Sequence, residues 1–194
     1  YFKQIHGDWA GCAQQCIESD QPGVLAMITI GCGADADPCP HGTVALCEQH
    51  GRALADEVKR LLAGPWTPIR PVLSARGTVL EIPYEKAPDK EIARAAASTS
   101  NAVKRLLDTM EKEGRAPVPR AYPIVVWTFG DDLAMVFLSN EVVVDYALRL
   151  KRELDASRLW ITAYANDVSG YVVSKRLIAE GGYEPRNSLS SQVT

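Results

Sequence analysis

No run of apolar residues in this sequence exceeds six, and stretches such as Val24–Ile28 and Ala134–Leu138 are typical. A helix that spans a bilayer needs about 20, so a helical transmembrane segment is excluded. An excess of one charge is also lacking. Lys and Arg number 21 against 24 Asp and Glu, for a net charge of −3 and a pI near 5.7. Such a balance offers no basic surface that would make nucleic acid the main partner. Cysteines at CxxC spacing are missing too. The five cysteines (Cys12, Cys16, Cys32, Cys39, Cys47) fall irregularly within the first 47 residues, which is no disulfide framework. Cys32, Cys39 and His41 do not have the spacing of structural zinc. Reduced cysteines acting as small buried hydrophobes are the expectation.

What is present is ordinary globular composition: 194 residues, 46% hydrophobic and 23% charged, the size of one domain or of a large piece of one. The chain begins at Tyr1 and shows no basic-then-apolar leader, so it is expected to be processed or cut from a longer chain.

Helix and strand signals alternate along the chain. Asp8 can cap a helix in which Trp9, Cys12, Ala13, Cys16 and Ile17 recur at helical spacing, and Gln21-Pro22-Gly23 ends it. Leu25–Ile30 has almost no polar face and reads as a strand covered on both sides. Thr43 opens a second helix, which Gly64-Pro65 stops. Residues 69–84 are β-like but carry prolines, which suits edge strands. A further helix is expected from Asp89 to about Glu113. Pro117–Pro123 forms a stiff connector, so the chain is read as one partial domain over 1–194 with an internal boundary near 115–123. Ile124–Phe129, the Gly130-Asp131-Asp132 turn and Ala134–Leu138 predict a β-hairpin. A helix from about Val142 to Leu154 and a strand over Leu159–Ala163 follow. The fold class is α/β, a mixed sheet with flanking helices, and its polar residues gather at strand ends, where α/β folds place their sites.

Two loops carry candidate chemistry. Gly31-Cys32-Gly33-Ala34-Asp35-Ala36 satisfies the loose dinucleotide pattern. Asp35 and Asp37 disfavour an anion there, however, and Pro38 and Pro40 remove two amides that a phosphate would need. The strand-end oxygens form the second set: Asp35 and Asp37, Glu141, and Asn166 with Tyr171. Taken singly, Glu141 can be an acidic residue in a helix's first turn, Asp35 and Asp37 can shape a turn, and Tyr171 can be a half-buried strand aromatic. Taken together, they suit a hard or borderline metal ion.

The order of motifs resembles the neutral/alkaline, non-lysosomal ceramidase family in its divergent bacterial form. Gly7-Asp8-Trp9-Ala10-Gly11 resembles the family's Asp-x-x-Gly helix start, and Met27–Pro38 its strand and glycine-rich active-site loop. Leu138-Ser139-Asn140-Glu141 resembles the strand end that delivers a zinc-binding glutamate. Asn166–Tyr171 and Gly182-Tyr183-Glu184 resemble a segment in which a zinc-binding tyrosine is followed, twelve residues later, by a second active-site tyrosine; Tyr171 and Tyr183 keep that spacing.

The resemblance implies part of a larger zinc hydrolase domain. Glu141 and Tyr171 would be metal ligands, Tyr183 a catalytic oxyanion donor, and Asn166 a group that orients Tyr171. The remaining zinc ligands, histidines, are expected upstream of residue 1, since none of His6, His41 and His50 stands in the family's context. Asp37 occupies the active-site position where characterised members carry serine. The implied reaction is hydrolysis of an N-acyl sphingoid or related lipid amide to fatty acid and amine. Membrane-surface association and an extracytoplasmic location (secreted, periplasmic or surface) go with that substrate. The Asp37 substitution and the displaced histidines also suit a non-catalytic ceramidase-like binding or scaffold domain, or a zinc hydrolase with another substrate.

Overall fold

The computed structural model describes residues 5–82, 97, 108 and 120–188. It divides into two compact units, Tyr1–Thr29 with Ala36–Ile69, and Ile30–Asp35 with Arg70–Thr194.

The first unit is a helical pair. Helix α1 (Asp8–Asp20) packs on helix α2 (Val44–Leu62). Three and four residues apart, the apolar positions of each helix line one face, and Ala13, Cys47, Gly51 and Ala55 are buried between them. Thr43 caps α2 as expected, its side chain accepting from the Leu46 N–H at 3.2 Å. The cap of α1 differs from expectation. Gly7 occupies the cap position without a side-chain bond, and Asp8 is the first helical residue, with Oδ1 accepting from the Trp9 N–H at 2.6 Å.

Leu25–Ile30 is not a strand. Ala26 has its N–H bonded to Glu18 Oε1 and its carbonyl to Gln14 Nε2, so α1 side chains satisfy the backbone that a ladder would have used. Leu25 and Met27 are 78% and 81% exposed, so no second layer covers the run.

The second unit holds a four-stranded mixed sheet. Strands β1 (Leu73–Ile82), β2 (Arg120–Phe129) and β3 (Leu133–Leu138) pair antiparallel in that order, and β5 (Leu159–Thr162) adds to β3 in parallel. The predicted hairpin is β2–β3. β1 is an edge strand exposed along its whole length, in keeping with the prolines that flank it, Pro71 and Pro83. The inner face of the sheet carries Ile124, Val126, Val136, Leu138, Ile161 and Ala163, which pack with Tyr146, Ala147 and Leu150 of helix α3 (Val144–Glu153). Four smaller elements follow in the unit. Strands β4 (Glu141–Val142) and β6 (Tyr171–Val172) form a second, parallel pair, and helices α4 (Lys175–Glu180) and α5 (Tyr183–Ser188) follow.

The helix expected over 89–113 lies outside the described residues. So does the start of the expected connector, whose residues 120–123 belong to β2. Among the described residues no helix is long and apolar enough to cross a membrane.

Candidate functional site

The parallel pairing of β3 with β5 breaks and then resumes. Phe137 lies beside Thr162, and Glu141 lies beside Tyr171. The offset grows from 25 to 30 residues, so the β5 side carries five extra residues in the loop 163–170. Both chains turn out of the sheet at the break through left-handed backbone, Asn140 at φ +68° on one side, Tyr164 at +57° and Asn166 at +67° on the other. Asn tolerates this region; a bulky Tyr seldom enters it. Such outliers cluster at functional sites because surrounding structure must hold them in place. Here they sit at the carboxyl ends of two parallel strands, where α/β sheets open a binding crevice.

The kink is bonded from every side. Ser139 is fully buried; its carbonyl accepts from Tyr122 Oη at 2.9 Å and its hydroxyl donates to the Pro123 carbonyl at 2.9 Å. Asn140 is 3% exposed; its N–H donates to the Asp167 carbonyl at 2.6 Å and its carbonyl accepts from the Tyr164 N–H at 3.0 Å. Asn140 Oδ1 accepts from the Ser169 N–H at 2.8 Å. The Ser169 hydroxyl stands 3.0 Å from that oxygen and 2.9 Å from Asp167 Oδ2, with one proton to share between them. Beyond the kink, Glu141 N–H donates to the Gly170 carbonyl at 2.9 Å and Val143 N–H to the Val172 carbonyl at 3.2 Å, which completes β4–β6.

Pairing residues in parallel register point to one face, and Glu141 and Tyr171 do so. Burial, together with the charge and hydrogen bonding of neighbouring Glu141, pushes the Tyr171 phenol well above its ordinary pKa. The Tyr183 ring stands edge-on to Tyr171, with centroids 6.1 Å apart. Left-handed Gly181 and Gly182, at φ +76° and +128°, turn the chain into α5, and Tyr183 opens that helix 66% exposed. The structure therefore brings together three of the sequence candidates.

The others have different places. Glu141 is not in a helix's first turn; the chain continues as strand through Val142, and α3 starts at Val144. Pairing with β6 overrides helical pattern at Val142 and Val143, both buried. Asp35 is not a strand-end ligand but a helix cap: its Oδ1 accepts from the Val144 N–H at 2.8 Å, and neighbouring Ala34 N–H donates to the Val142 carbonyl at 3.2 Å. Asn166 is exposed, and the residue that holds the 163–170 loop is Asn140. Asp37 belongs to the helical unit and is exposed there. In that unit His41 Nδ1 and His50 Nε2 bond the carbonyls of Pro38 and Pro40 at 3.0 and 2.7 Å.

All five cysteines are free thiols. Cys32 lies in the core and burial pushes it up to about 11. Cys47 is also pushed up to about 11, first by its hydrogen bond to Asp8. Cys39, expected with the rest to be buried, is exposed.

Glu141 and Tyr171 offer a zinc ion two oxygen donors of suitable type. Among the described residues no three His, Cys, Asp or Glu side chains converge as a metal site. No protein-family model matches the chain, and no curated protein does.

Proposed function

We propose that the Glu141–Tyr171–Tyr183 face is part of the active site of a zinc-dependent amide hydrolase resembling neutral ceramidase. One observation carries the reading. The β4–β6 register sets Glu141 beside Tyr171, and Tyr183, twelve residues on, stands edge-on to Tyr171. The same glutamate and two tyrosines are the ones the family resemblance singles out. The resemblance implies histidines as the remaining ligands.

When bound, zinc supplies Lewis acidity, polarising a carbonyl and lowering the pKa of water towards ~7. The chain's own part is positioning and charge. Glu141 and Tyr171 would hold the ion through a carboxylate and a phenol oxygen; burial beside Glu141 keeps that phenol protonated in this chain. Tyr183, largely exposed and edge-on to Tyr171, donates to the negative charge that develops on the substrate's carbonyl oxygen. The resemblance sets Asp37 in the position of the family's serine; when ionised it accepts hydrogen bonds and donates none. The substrate is an N-acyl sphingoid or related lipid amide, presented at a membrane surface.

Elemental analysis of the full-length protein, purified without chelator, tests the assignment beside its Glu141→Ala variant. About one zinc in the wild type and none in the variant is expected, because the loss of one ligand disorganises the rest. Equal zinc in both would reject Glu141 as a ligand.

A second reading has its own support. Asp37 stands where the resemblance expects a serine, which suits a non-catalytic binding or scaffold domain. A wild type free of zinc would favour it.

A further inference from the structure

We infer that Asn140 is a positioning residue for this face: through its left-handed backbone and its carboxamide oxygen it sets the register that puts Glu141 beside Tyr171. The inference rests on the proposed reading of that pair as the working one. Two features of Asn140 are needed at once. The φ of +68° takes the chain out of the four-stranded sheet directly before Glu141. The Oδ1 atom then accepts from the N–H of Ser169, two residues before Tyr171. With the Asp167 and Tyr164 backbone bonds, one buried residue fastens both ends of the loop that carries the five extra residues. Without that anchor the loop can slip. A one-residue slip would turn Tyr171 to the opposite face of its strand.

Few other side chains meet both needs. Gly enters the left-handed region freely but lacks the oxygen, and Ala lacks the oxygen and resists the backbone. Asp keeps an acceptor and tolerates the conformation.

The test is amide hydrogen exchange on the wild type, Asn140→Gly and Asn140→Asp, each as the full-length protein. The Glu141 and Val143 amides report on β4–β6, and the Trp127 and Phe137 amides of the β2–β3 hairpin serve as controls. In Asn140→Gly, exchange at Glu141 and Val143 should quicken on the order of tenfold, as expected for losing a buried hydrogen bond. The controls should hold, and Asn140→Asp should restore most of the protection.

Unchanged exchange at Glu141, equal acceleration of the controls, or no recovery in Asn140→Asp would each overturn the inference. If Asn140→Gly does not fold, Asn140→Asp decides alone: a folded variant with wild-type protection at Glu141 supports the inference, and lost protection there overturns it. Zinc content of the same wild-type sample reads the underlying assignment separately. A zinc-free wild type with the exchange pattern intact removes the metal reading and leaves the positioning role standing.

Discussion

In the helical unit the buried residues among those described are all small: Ala13, Cys47, Gly51 and Ala55. In the sheet unit, Ser139, Asn140 and Thr162 are buried alongside Val142 and Val143. The contrast extends to the backbone. Among the described residues, three of the four left-handed non-glycine residues, Asn140, Tyr164 and Asn166, surround the β3–β5 break, and the fourth, Asp8, lies in the helical unit. Each costs about 1–2 kcal/mol, and a buried polar group is tolerated only when bonded. The helical pair thus gains its stability from close approach of backbones. The sheet unit accepts local strain at one place and offsets it with a dense set of hydrogen bonds. Strain and bonding meet where Glu141 and Tyr171 stand.

Substitutions can break this contrast from either side. The largest effect is expected at Tyr183. Replacing it with Phe should leave zinc content and thermal stability unchanged, because the hydroxyl is exposed. Amide hydrolysis should fall by about 10²–10³, the cost of one oxyanion donor. A turnover assay with a lipid amide reads it, and an undiminished rate would remove Tyr183 from the chemistry.

Gly51→Ala probes the helical side. A Cβ there would meet Cys12 Cβ at 2.5 Å, the Ala13 nitrogen at 2.8 Å and the Trp9 carbonyl oxygen at 2.8 Å. Two of these are backbone atoms that cannot swing away. Overpacking costs up to about 3 kcal/mol, against about 1 kcal/mol that alanine gains by helix propensity. A net loss of about 1–2 kcal/mol is expected from urea unfolding. A more stable variant would show that the helices do not pack as described.

Asp35→Ala removes the cap that the sheet unit's loop lends to α3. Its Oδ1 is the side-chain acceptor for the Val144 N–H, and the cap residue Val143 offers none of its own. A loss of about 1 kcal/mol is expected, with faster amide exchange at Val144. Unaltered exchange there would contradict the cap.

The smallest effect is on acid titration at Asp155, whose carboxylate accepts from the Ser157 N–H, the Ser157 hydroxyl and Arg158. These bonds, the Ser157 hydroxyl first and then Arg158, hold its pKa down to about 2. Because the folded value lies below the ~3.9 of an unfolded Asp, the contribution is complete above about pH 4 and is lost as the pH falls through about 2. The Ser157 amide shift should follow that titration, and Asp155→Asn should abolish it.

Much of the frame was legible from local pattern. Short apolar runs on either side of Gly130-Asp131-Asp132 announced the β2–β3 hairpin, and Thr43 with Gly64-Pro65 bounded α2. Prolines around residues 73–82 marked β1 as an edge. The failures have physical causes. Leu25–Ile30 has the composition of a covered strand, but composition does not reveal that Glu18 and Gln14 claim the Ala26 backbone groups. Val142 reads as the start of a helix, because a two-residue strand leaves no periodicity to detect. Of the candidate site, the residue types and the twelve-residue spacing of Tyr171 and Tyr183 were visible. Asn140 was visible only as a letter within Ser-Asn-Glu.

By itself, then, the sequence determined the elements whose signals lie within a dozen residues, and the chemical identity of the oxygens. Such signals are local because caps, turns and alternation act through neighbouring backbone. Only the tertiary structure decided that Asp35 caps a helix starting 109 residues later, that Asn140 grips Ser169, and that Glu141 pairs with Tyr171. These contacts join segments far apart in the chain, and their register follows from which groups remain to be satisfied once the sheet has formed.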